Sequence, residues 1–285
     1  MRDAHITLKA GRELAYTDIG RPDGPCLFFF HGAPMSRLHL APLEAHFAER
    51  GLRVISPDRP GYGQSSPQRG RSVSDWPTDV AALADALGID RFLVAGHSSG
   101  GPYAVACAAL LNDRVLGGAV LGGVTDMSWP DAWIGYLEGR VELELMRLPD
   151  EAATIARCVD RFGSDGSGFL SDPFEFPAPD AAYLADESVE GPFAAAVLAA
   201  FRQGIAGYAQ DVHLEGRGWP FDASRINVPI DVIHGELDTL VPLSHSRHTS
   251  QVIPTATLRV LPGHGHLTTV PELPAIAAAL LRSVA

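Results

Sequence analysis

The sequence lacks an excess of positive charge. Its 285 residues carry 34 Asp and Glu against 22 Lys and Arg, which gives a formal net charge of −12 at pH 7. A surface of that sign repels phosphate backbones and anionic membrane surfaces. The charge therefore argues against nucleic-acid and membrane partners and favours a small molecule as the ligand.

Cysteine is also scarce, and long hydrophobic runs are missing. Cys26, Cys107 and Cys158 are widely spaced in apolar or helix-like surroundings, so we predict that they are reduced core thiols. The alternation of residues 5–8 predicts an opening strand that starts at His5, and no stretch approaches the roughly 20 apolar residues of a membrane span. We expect a cytoplasmic protein without a membrane segment.

The sequence contains none of the common metal or nucleotide motifs. It has no HExxH, and the run His264-Gly265-His266 has no third ligand beside it. Residues 58–65, DRPGYGQS, lack both the Lys-Ser/Thr ending of a P-loop and a full GxGxxG. We predict no metal and no cofactor, and we interpret residues 58–65 as a structural turn.

Short β-rich runs alternate with helical stretches over the first 125 residues. Continuous apolar runs at 26–30, 54–56 and 92–95 are typical of strands buried on both faces. The helical stretches between them end at Gly51 and Gly88. This pattern indicates an α/β fold with a mostly parallel sheet.

The alternation is interrupted between about residues 126 and 221. That stretch is helical in patches, rich in aromatic residues and broken by Gly-Ser and Pro-rich runs. Strand-like runs return at 230–234 and 258–261. We therefore predict a core formed by residues 1–125 and 222–285, with a helical cap inserted over residues 126–221.

The strongest chemical signal is Gly96-His97-Ser98-Ser99-Gly100, which lies between a predicted buried strand and a predicted helix. In that context GxSxG is a nucleophile elbow, whose flanking glycines remove Cβ atoms that would clash at a sharp turn. Ser98 is the predicted nucleophile. Ser99 is an alternative, but its backbone N–H is better placed to stabilise an oxyanion.

With this motif the chain resembles the α/β-hydrolase family, and the resemblance covers nearly all of it except the cap. His31-Gly32-Ala33-Pro34 is similar to the family's HGxP segment, and residues 58–65 resemble another stretch common in the family. The resemblance implies a mostly parallel eight-stranded sheet flanked by helices, with an inserted helical cap. It also implies an oxyanion hole formed by the N–H groups of Ala33 and Ser99.

A serine hydroxyl needs a neighbouring base, and the base needs an acid that holds it in one tautomer. Asp238 follows the predicted strand at 230–234 and matches the family position of the acid. Glu236 and Asp126 stay open as alternatives.

The run Pro262-Gly263-His264-Gly265-His266 supplies two histidines where one is needed. The family places its catalytic histidine after Gly-x-Gly or Gly-x-Ala, so the resemblance selects His266. His264 is the alternative, interpreted as a polar turn residue. The resulting chain order of Ser, Asp and His is typical of this fold.

Four further residues are candidates for substrate binding. His31 and His97 lie beside the oxyanion segment and the nucleophile, and Trp129 and Trp133 belong to the cap, most of whose aromatic residues should fill its own core. Arg37 could reach an acidic substrate group, but we favour a structural ion pair for it.

Together these residues predict a serine hydrolase that cleaves a small-molecule carboxylic ester through an acyl-enzyme on Ser98. Proline iminopeptidases, carbon-carbon bond hydrolases and perhydrolases use the same triad and remain alternatives. The iminopeptidases usually carry a GGPG-like segment and a Trp after the nucleophile, where this chain has residues 31–34, HGAP, and Ser99. A ligand-binding receptor or regulator with little turnover is the alternative of another class, and a homo-oligomer is possible.

Overall fold

The structure is a computed structural model that describes residues 1–136, 140–171 and 175–284. Its strands are β1 (Arg2–Thr7), β2 (Glu13–Gly20), β3 (Cys26–Phe30), β4 (Arg53–Pro57), β5 (Phe92–His97), β6 (Val115–Leu121), β7 (Ile230–Gly235) and β8 (Ala256–Leu261). Within the described residues these form one eight-stranded sheet in the order β1-β2-β4-β3-β5-β6-β7-β8. The pairs β1-β2 and β2-β4 are antiparallel and the other pairs are parallel, which confirms the predicted fold class.

The central strands match the sequence pattern because they are buried on both faces. Every residue of β3 and of β5 is buried. At the edge of the sheet the pattern is weaker, and β1 begins at Arg2, three residues before the start predicted from the apolar alternation. Arg2 lies opposite Asp18 in the register, and its side chain donates to the Asp18 carboxylate, so a polar pair extends the strand there.

The described helices are α1 (Glu44–Glu49), α2 (Trp76–Ala86), α3 (Gly101–Leu110), α4 (Val141–Met146), α5 (Glu151–Phe162), α6 (Ala178–Leu184), α7 (Glu187–Ala200), α8 (Ala206–Glu215), α9 (Leu243–Val252) and α10 (Leu273–Val284). Helices α2 and α3 pack with one face of the sheet, through residues such as Val80 and Val105. Helices α1 and α10 pack with the other face, through Phe47 and Ile276. The sheet is therefore covered by helices on both sides.

The C-terminal helical run is long and apolar. Among the described residues, Leu267–Val284 is the one run with the length and composition of a membrane span. Leu273, Ile276 and Leu280 of this run are buried against the sheet in the same cluster as Phe47. The apolar residues of α10 thus form part of the packed core.

Helices α4 to α8 lie between β6 and β7 in the chain. We call residues 126–221 the helical segment; its residues 137–139 and 172–174 lie outside the described part. Its helices share a cluster of buried residues that includes Leu145, Phe162 and Tyr208, together with Met35 and Tyr62 from the loops that follow β3 and β4. The helical segment thus packs against loops at the carboxyl ends of the strands.

Candidate active site

The turn after β5 holds Ser98 in a backbone conformation that residues other than glycine rarely adopt. Its φ is +55°, in a region that costs about 1–3 kcal/mol. A Cβ at Gly96 would lie 2.1 Å from the Gly100 carbonyl oxygen, and one at Gly100 would lie 2.0 Å from the Phe30 carbonyl oxygen. Both positions require glycine, and this allows the sharp turn from β5 through a 3₁₀ turn, Ser98–Gly100, into α3.

Residues 31–34 lie against this turn. A Cβ at Gly32 would be 3.3 Å from the Ser98 Cβ and 3.1 Å from the His97 Nδ1. The Gly32 carbonyl accepts a hydrogen bond of 2.9 Å from the Met35 N–H, which bends the chain at Ala33. The two predicted oxyanion donors, Ala33 and Ser99, therefore belong to two chain segments that meet at Ser98.

Asp238 and His266 form a buried pair at the ends of β7 and β8. The His266 Nδ1 lies 2.7 Å from the Asp238 Oδ2, and both side chains are almost fully buried. The other carboxylate oxygen of Asp238 accepts the N–H groups of Leu240 and Val241 at 2.8 and 3.0 Å. Since a carboxylate accepts, Nδ1 carries the proton in this pair and Nε2 is left as the acceptor.

The electrostatics of this pair favour an ionised Asp238. Burial alone would raise the pKa of Asp238, but the charge and the hydrogen bond of His266 lower that pKa below its ordinary value. His234 adds to the effect, with its Nε2 at 3.7 Å from the Asp238 Oδ2. Asp238 can therefore act as a charged partner of the histidine.

The alternative residues have other partners. Glu236 accepts the Gly263 N–H at 3.0 Å. Asp126 accepts the N–H groups of Ser128 and Trp219 at 2.9 and 3.1 Å. The His264 Nδ1 lies 3.0 Å from the Pro262 carbonyl oxygen. The geometry thus brings together the Asp238 and His266 that the sequence favoured.

His97 packs beside His266. The two ring centroids are 4.5 Å apart, and the His97 Nε2 lies 3.2 Å from the His266 carbonyl oxygen. On its other side the His97 ring is 5.3 Å from the ring of His39. Burial, followed by the nearby histidines, lowers the pKa of His97 well below its ordinary value, and burial lowers that of His39 to about 3. Both rings are therefore neutral, so His97 supports the His266 ring without adding charge.

His31 and Arg37 are held by the protein itself. The His31 Nδ1 lies 2.8 Å from the Gly32 carbonyl oxygen, and its Nε2 accepts the Arg59 N–H at 3.3 Å. Arg37 donates at 2.8 Å to Asp58 and at 2.7 Å to Asp3. With both ring nitrogens engaged, His31 fits a structural role better than the predicted substrate contact, and Arg37 forms the expected ion pair.

The two candidate tryptophans pack against neighbouring side chains. Trp129 stacks on His248 with ring centroids 4.2 Å apart and planes 3° from parallel. The Arg147 guanidinium lies 4.6 Å from the ring centroid of Trp133. Both rings are half-buried at the edge of the cluster inside the helical segment. Their role in substrate binding stays a prediction.

Sequence reasoning missed Asp180 of α6. Its carboxylate is fully buried and accepts the backbone N–H groups of His266, Leu267 and Thr268 at 2.7, 3.0 and 3.0 Å. In the sequence it is an acidic residue in a Pro-rich run far from the histidine. No local signal relates the two positions.

A buried ionic network joins the helical segment to the loop after β4. The Asp211 carboxylate of α8 accepts from Arg59 at 2.6 Å, from Tyr103 at 2.8 Å and from Arg71. Burial would raise the pKa of Asp211, but the two guanidinium groups hold it well below its ordinary value. Arg59 also donates to the His31 carbonyl. The segment that carries Ala33 is thereby tied to α8.

Glu215, at the end of α8, is a second acidic residue that the sequence did not single out. It is 6 % exposed, and its Oε1 has no hydrogen-bond partner among the described residues. Burial raises its pKa to about 8, while a hydrogen bond from Ser99 acts in the opposite direction. A largely protonated carboxyl group therefore lies beside the residue that follows Ser98.

A small apolar pocket adjoins this region. Its volume is about 20 Å³, enough for one or two groups of the size of water. It lies between the core and the helical segment, and it is lined by Met35, His39, Pro42, Leu43, Tyr183, Val189, Phe193, Leu267 and Val270. Leu267, one of the lining residues, follows His266 directly in the chain.

No group of three or more His, Cys, Asp or Glu side chains in residues 1–136, 140–171 and 175–284 is arranged to hold a metal ion. Cys26, Cys107 and Cys158 are free and buried, as their apolar surroundings predict.

Comparison with known proteins shows which family the chain belongs to. Residues 27–279 match the model of the alpha/beta hydrolase family. A bifunctional esterase/perhydrolase of Acinetobacter calcoaceticus is 29% identical over 94% of this chain and 95% of its own length. A non-heme chloroperoxidase of Streptomyces lividans is 28% identical over 94% of this chain and 95% of its own length.

The fold is also found among solved structures. A thermophilic esterase from Thermogutta terrifontis superposes with a TM-score of 0.72 at 23% identity, covering 100% of this chain and 99% of its own. At that identity the likeness concerns the fold alone.

Proposed function

Because the chain belongs to the α/β-hydrolase family, we propose that it is a serine hydrolase of small carboxylic esters. The observation that carries the proposal is the buried pair of Asp238 and His266, 2.7 Å apart, beside a turn that holds Ser98 at a φ of +55°. The turn meets the histidine through His97, whose ring centroid lies 4.5 Å from that of His266. A strained serine served by an oriented histidine is the arrangement that activates a hydroxyl nucleophile.

The proposed reaction begins when the Ser98 hydroxyl attacks the ester carbonyl carbon and gives its proton to the His266 Nε2. The N–H groups of Ala33 and Ser99 stabilise the oxyanion. The intermediate collapses to an acyl-enzyme, and the alcohol leaves with the proton from His266. Water then attacks the acyl group, its proton passes through His266 to Ser98, and the carboxylic acid is released.

The helical segment is proposed to act as a cap over this site. Three contacts support that role: Asp180 against the His266 loop, Glu215 beside Ser99, and Asp211 paired with Arg59. The first two connect the helical segment to a turn that carries a proposed catalytic group. The third connects it to Arg59, which donates to the His31 carbonyl two residues before Ala33. A cap in this position would exclude water and shape the substrate pocket.

The pocket suggests a short acyl or alkyl group on the substrate. Its apolar lining includes Met35, Leu267 and Val270, and its volume of about 20 Å³ corresponds to one or two groups of the size of water. We therefore expect acetyl and propionyl esters to be better substrates than long-chain esters. The negative charge of the chain, −12, disfavours anionic esters during encounter.

The test is hydrolysis of p-nitrophenyl esters from acetate to dodecanoate by the wild type, Ser98→Ala and the matched variant Ser99→Ala. A fluorophosphonate probe labels activated serines in parallel. We expect Ser98→Ala to lose both turnover and labelling, and Ser99→Ala, which keeps its backbone N–H, to retain both. Full turnover of Ser98→Ala would overturn the proposal, and a preference for dodecanoate would overturn the assignment of short acyl groups.

A second candidate activity is perhydrolysis, because a relative that covers 94% of the chain is named an esterase/perhydrolase. In that reaction the acyl-enzyme is attacked by hydrogen peroxide instead of water, which gives a peracid and restores Ser98. The measurement is peracid formation from acetate and hydrogen peroxide. Peracid made by the wild type but not by Ser98→Ala supports this activity, and no peracid above the background rate contradicts it.

A further inference from the structure

We propose that Asp180 is a positioning residue through which the helical segment fixes the backbone of His266. The inference rests on the proposed function, since it assigns His266 the role of the base. Asp238 orients the imidazole ring, whereas Asp180 holds the peptide groups from which that ring projects. The base is thus fixed from two sides by two carboxylates of different chain regions.

The contacts of Asp180 are concentrated on one loop. Its Oδ2 accepts the His266 N–H at 2.7 Å. Its Oδ1 accepts the N–H groups of Leu267 and Thr268, both at 3.0 Å, and the Thr268 hydroxyl at 3.2 Å. These donors begin the 3₁₀ turn Leu267–Glu272, whose N-terminal N–H groups have no partner within the turn. A carboxylate from α6 supplies the missing acceptors.

The loop is shaped to admit this carboxylate. A Cβ at Gly265 would lie 2.5 Å from the Asp180 Cγ, so a side chain at that position would collide with the carboxyl group. The Gly265 N–H donates at 2.7 Å to the Thr268 hydroxyl, which in turn donates to Asp180. Gly265, His266 and Thr268 therefore form one closed set of contacts around a fully buried side chain.

This arrangement differs from an ordinary helix cap. Asp186 caps α7 from an exposed position, where it accepts from the N–H and hydroxyl of Ser188 two residues later at 2.8 and 2.6 Å. Asp180 instead reaches across 86 residues of sequence to His266. The contact therefore couples the seating of the helical segment to the position of the base.

Small displacements of a base have large effects on rate. A misplacement of about 1 Å can lower turnover by on the order of 100-fold. Loss of the Asp180 carboxylate leaves the loop free to move while Asp238 still holds the ring. We therefore expect kcat to fall by roughly 10- to 100-fold with little change in KM.

The experiment compares Asp180→Asn with Asp186→Asn and the wild type. Asp180→Asn keeps the size of the side chain but places an amide N–H₂ against backbone N–H donors. Kinetics on p-nitrophenyl acetate give kcat and KM, fluorophosphonate labelling reports the reactivity of Ser98, and hydrogen exchange reports the peptide that contains His266. Thermal unfolding reports global stability. Thr268→Val removes a single contact and serves as a milder variant.

For Asp180→Asn we expect lower kcat, slower labelling and faster exchange at residues 265–268, measured at a temperature at which the variant is still folded. Asp186→Asn should match the wild type in kcat, and Thr268→Val should lie between. Wild-type kcat in a folded Asp180→Asn would overturn the inference. The inference would also be overturned if Thr268→Val lost kcat only in proportion to its loss of thermal stability, with no faster exchange at residues 265–268. Turnover and labelling that survive in Ser98→Ala would instead overturn the proposed function, which keeps the two failures distinguishable.

Discussion

The loops at the ends of the strands and the helical segment both contribute to the candidate site, but in different ways. The strand-end loops place Ser98, Asp238 and His266 through turns fixed by glycine and by short-range hydrogen bonds. The helical segment contributes buried acidic groups, Asp180 and Glu215, whose partners lie far away in the sequence. The chemistry thus belongs to the sheet, while its positioning and environment depend on the segment.

The contrast predicts two kinds of mutational effect. Substitutions at the strand ends should remove activity from a protein that remains stable, because the sheet itself is not disturbed. Substitutions of the buried acidic residues that connect the helical segment to the core should change the stability of the protein, the pH dependence of that stability, or the position of His266.

The largest effect is expected for Asp238→Asn. An amide cannot stabilise a protonated His266, and it disturbs the tautomer in which Nδ1 donates. We expect kcat to fall by on the order of 10⁴-fold while the melting temperature changes little. Steady-state kinetics and thermal unfolding measure the two quantities.

The matched control is Asp126→Asn, at the alternative acid position. Asp126 accepts the N–H groups of Ser128 and Trp219, so this variant should keep its kcat. A collapse of kcat in Asp126→Asn together with near-normal activity in Asp238→Asn would reverse the assignment of the acid.

The next substitution removes the buried ionic network between α8 and the loop after β4. Asp211→Asn leaves the guanidinium groups of Arg59 and Arg71, both almost fully buried, without a carboxylate partner. Removing one member of such a network costs about 3–5 kcal/mol. For a chain of this size that corresponds to a melting temperature lower by roughly 10 °C.

An exposed ion pair of the same segment provides the comparison. Arg157 of α5 donates to Glu144 at 2.7 Å on the surface, where such pairs contribute little. Glu144→Gln should therefore leave the melting temperature nearly unchanged. Equal shifts of the melting temperature in Asp211→Asn and Glu144→Gln would show that the Asp211 network stabilises the protein no more than a surface ion pair does.

Substitution of Glu215 is expected to raise the free energy of unfolding, by less than Asp211→Asn lowers it. Burial raises its pKa from 4.5 to about 8 in the folded protein. The folded state therefore binds more protons than the unfolded state between these pH values, and stability falls as the pH rises through that window. Glu215→Gln removes this dependence, so the variant should gain a few kcal/mol over the wild type by pH 8.

The measurement is urea unfolding of the wild type and Glu215→Gln at pH 5, 6.5 and 8. The difference in the free energy of unfolding should grow with pH and level off near pH 8. Glu49→Gln, at an exposed position of α1, should follow the wild type at each pH. A constant difference between Glu215→Gln and the wild type would mean that Glu215 is ionised in the folded protein.

The division between the two regions also explains what the sequence could predict. The limits of β3 and the turn at Ser98 follow from local patterns of apolar residues and glycine. Asp180 could not be identified, because its role depends on a contact across 86 residues that no periodicity records. Substrate binding by His31 stays a prediction, and local sequence could not reveal that both of its ring nitrogens lie against backbone groups.

The smallest effect is expected where the helical segment does not meet the site. Asp150 caps α5 and accepts the Ala153 N–H at 2.8 Å. Asp150→Ala should cost about 0.5–2 kcal/mol, because the first turn of α5 loses an acceptor. Its kcat on p-nitrophenyl acetate at 25 °C should equal that of the wild type, since α5 packs mainly on α4, α8 and the 3₁₀ turn Ser167–Ser171. If Asp150→Ala lowered kcat as strongly as Asp180→Asn, loosening the helical segment at any point would be enough to displace His266. Asp180 would then not be a specific positioning residue.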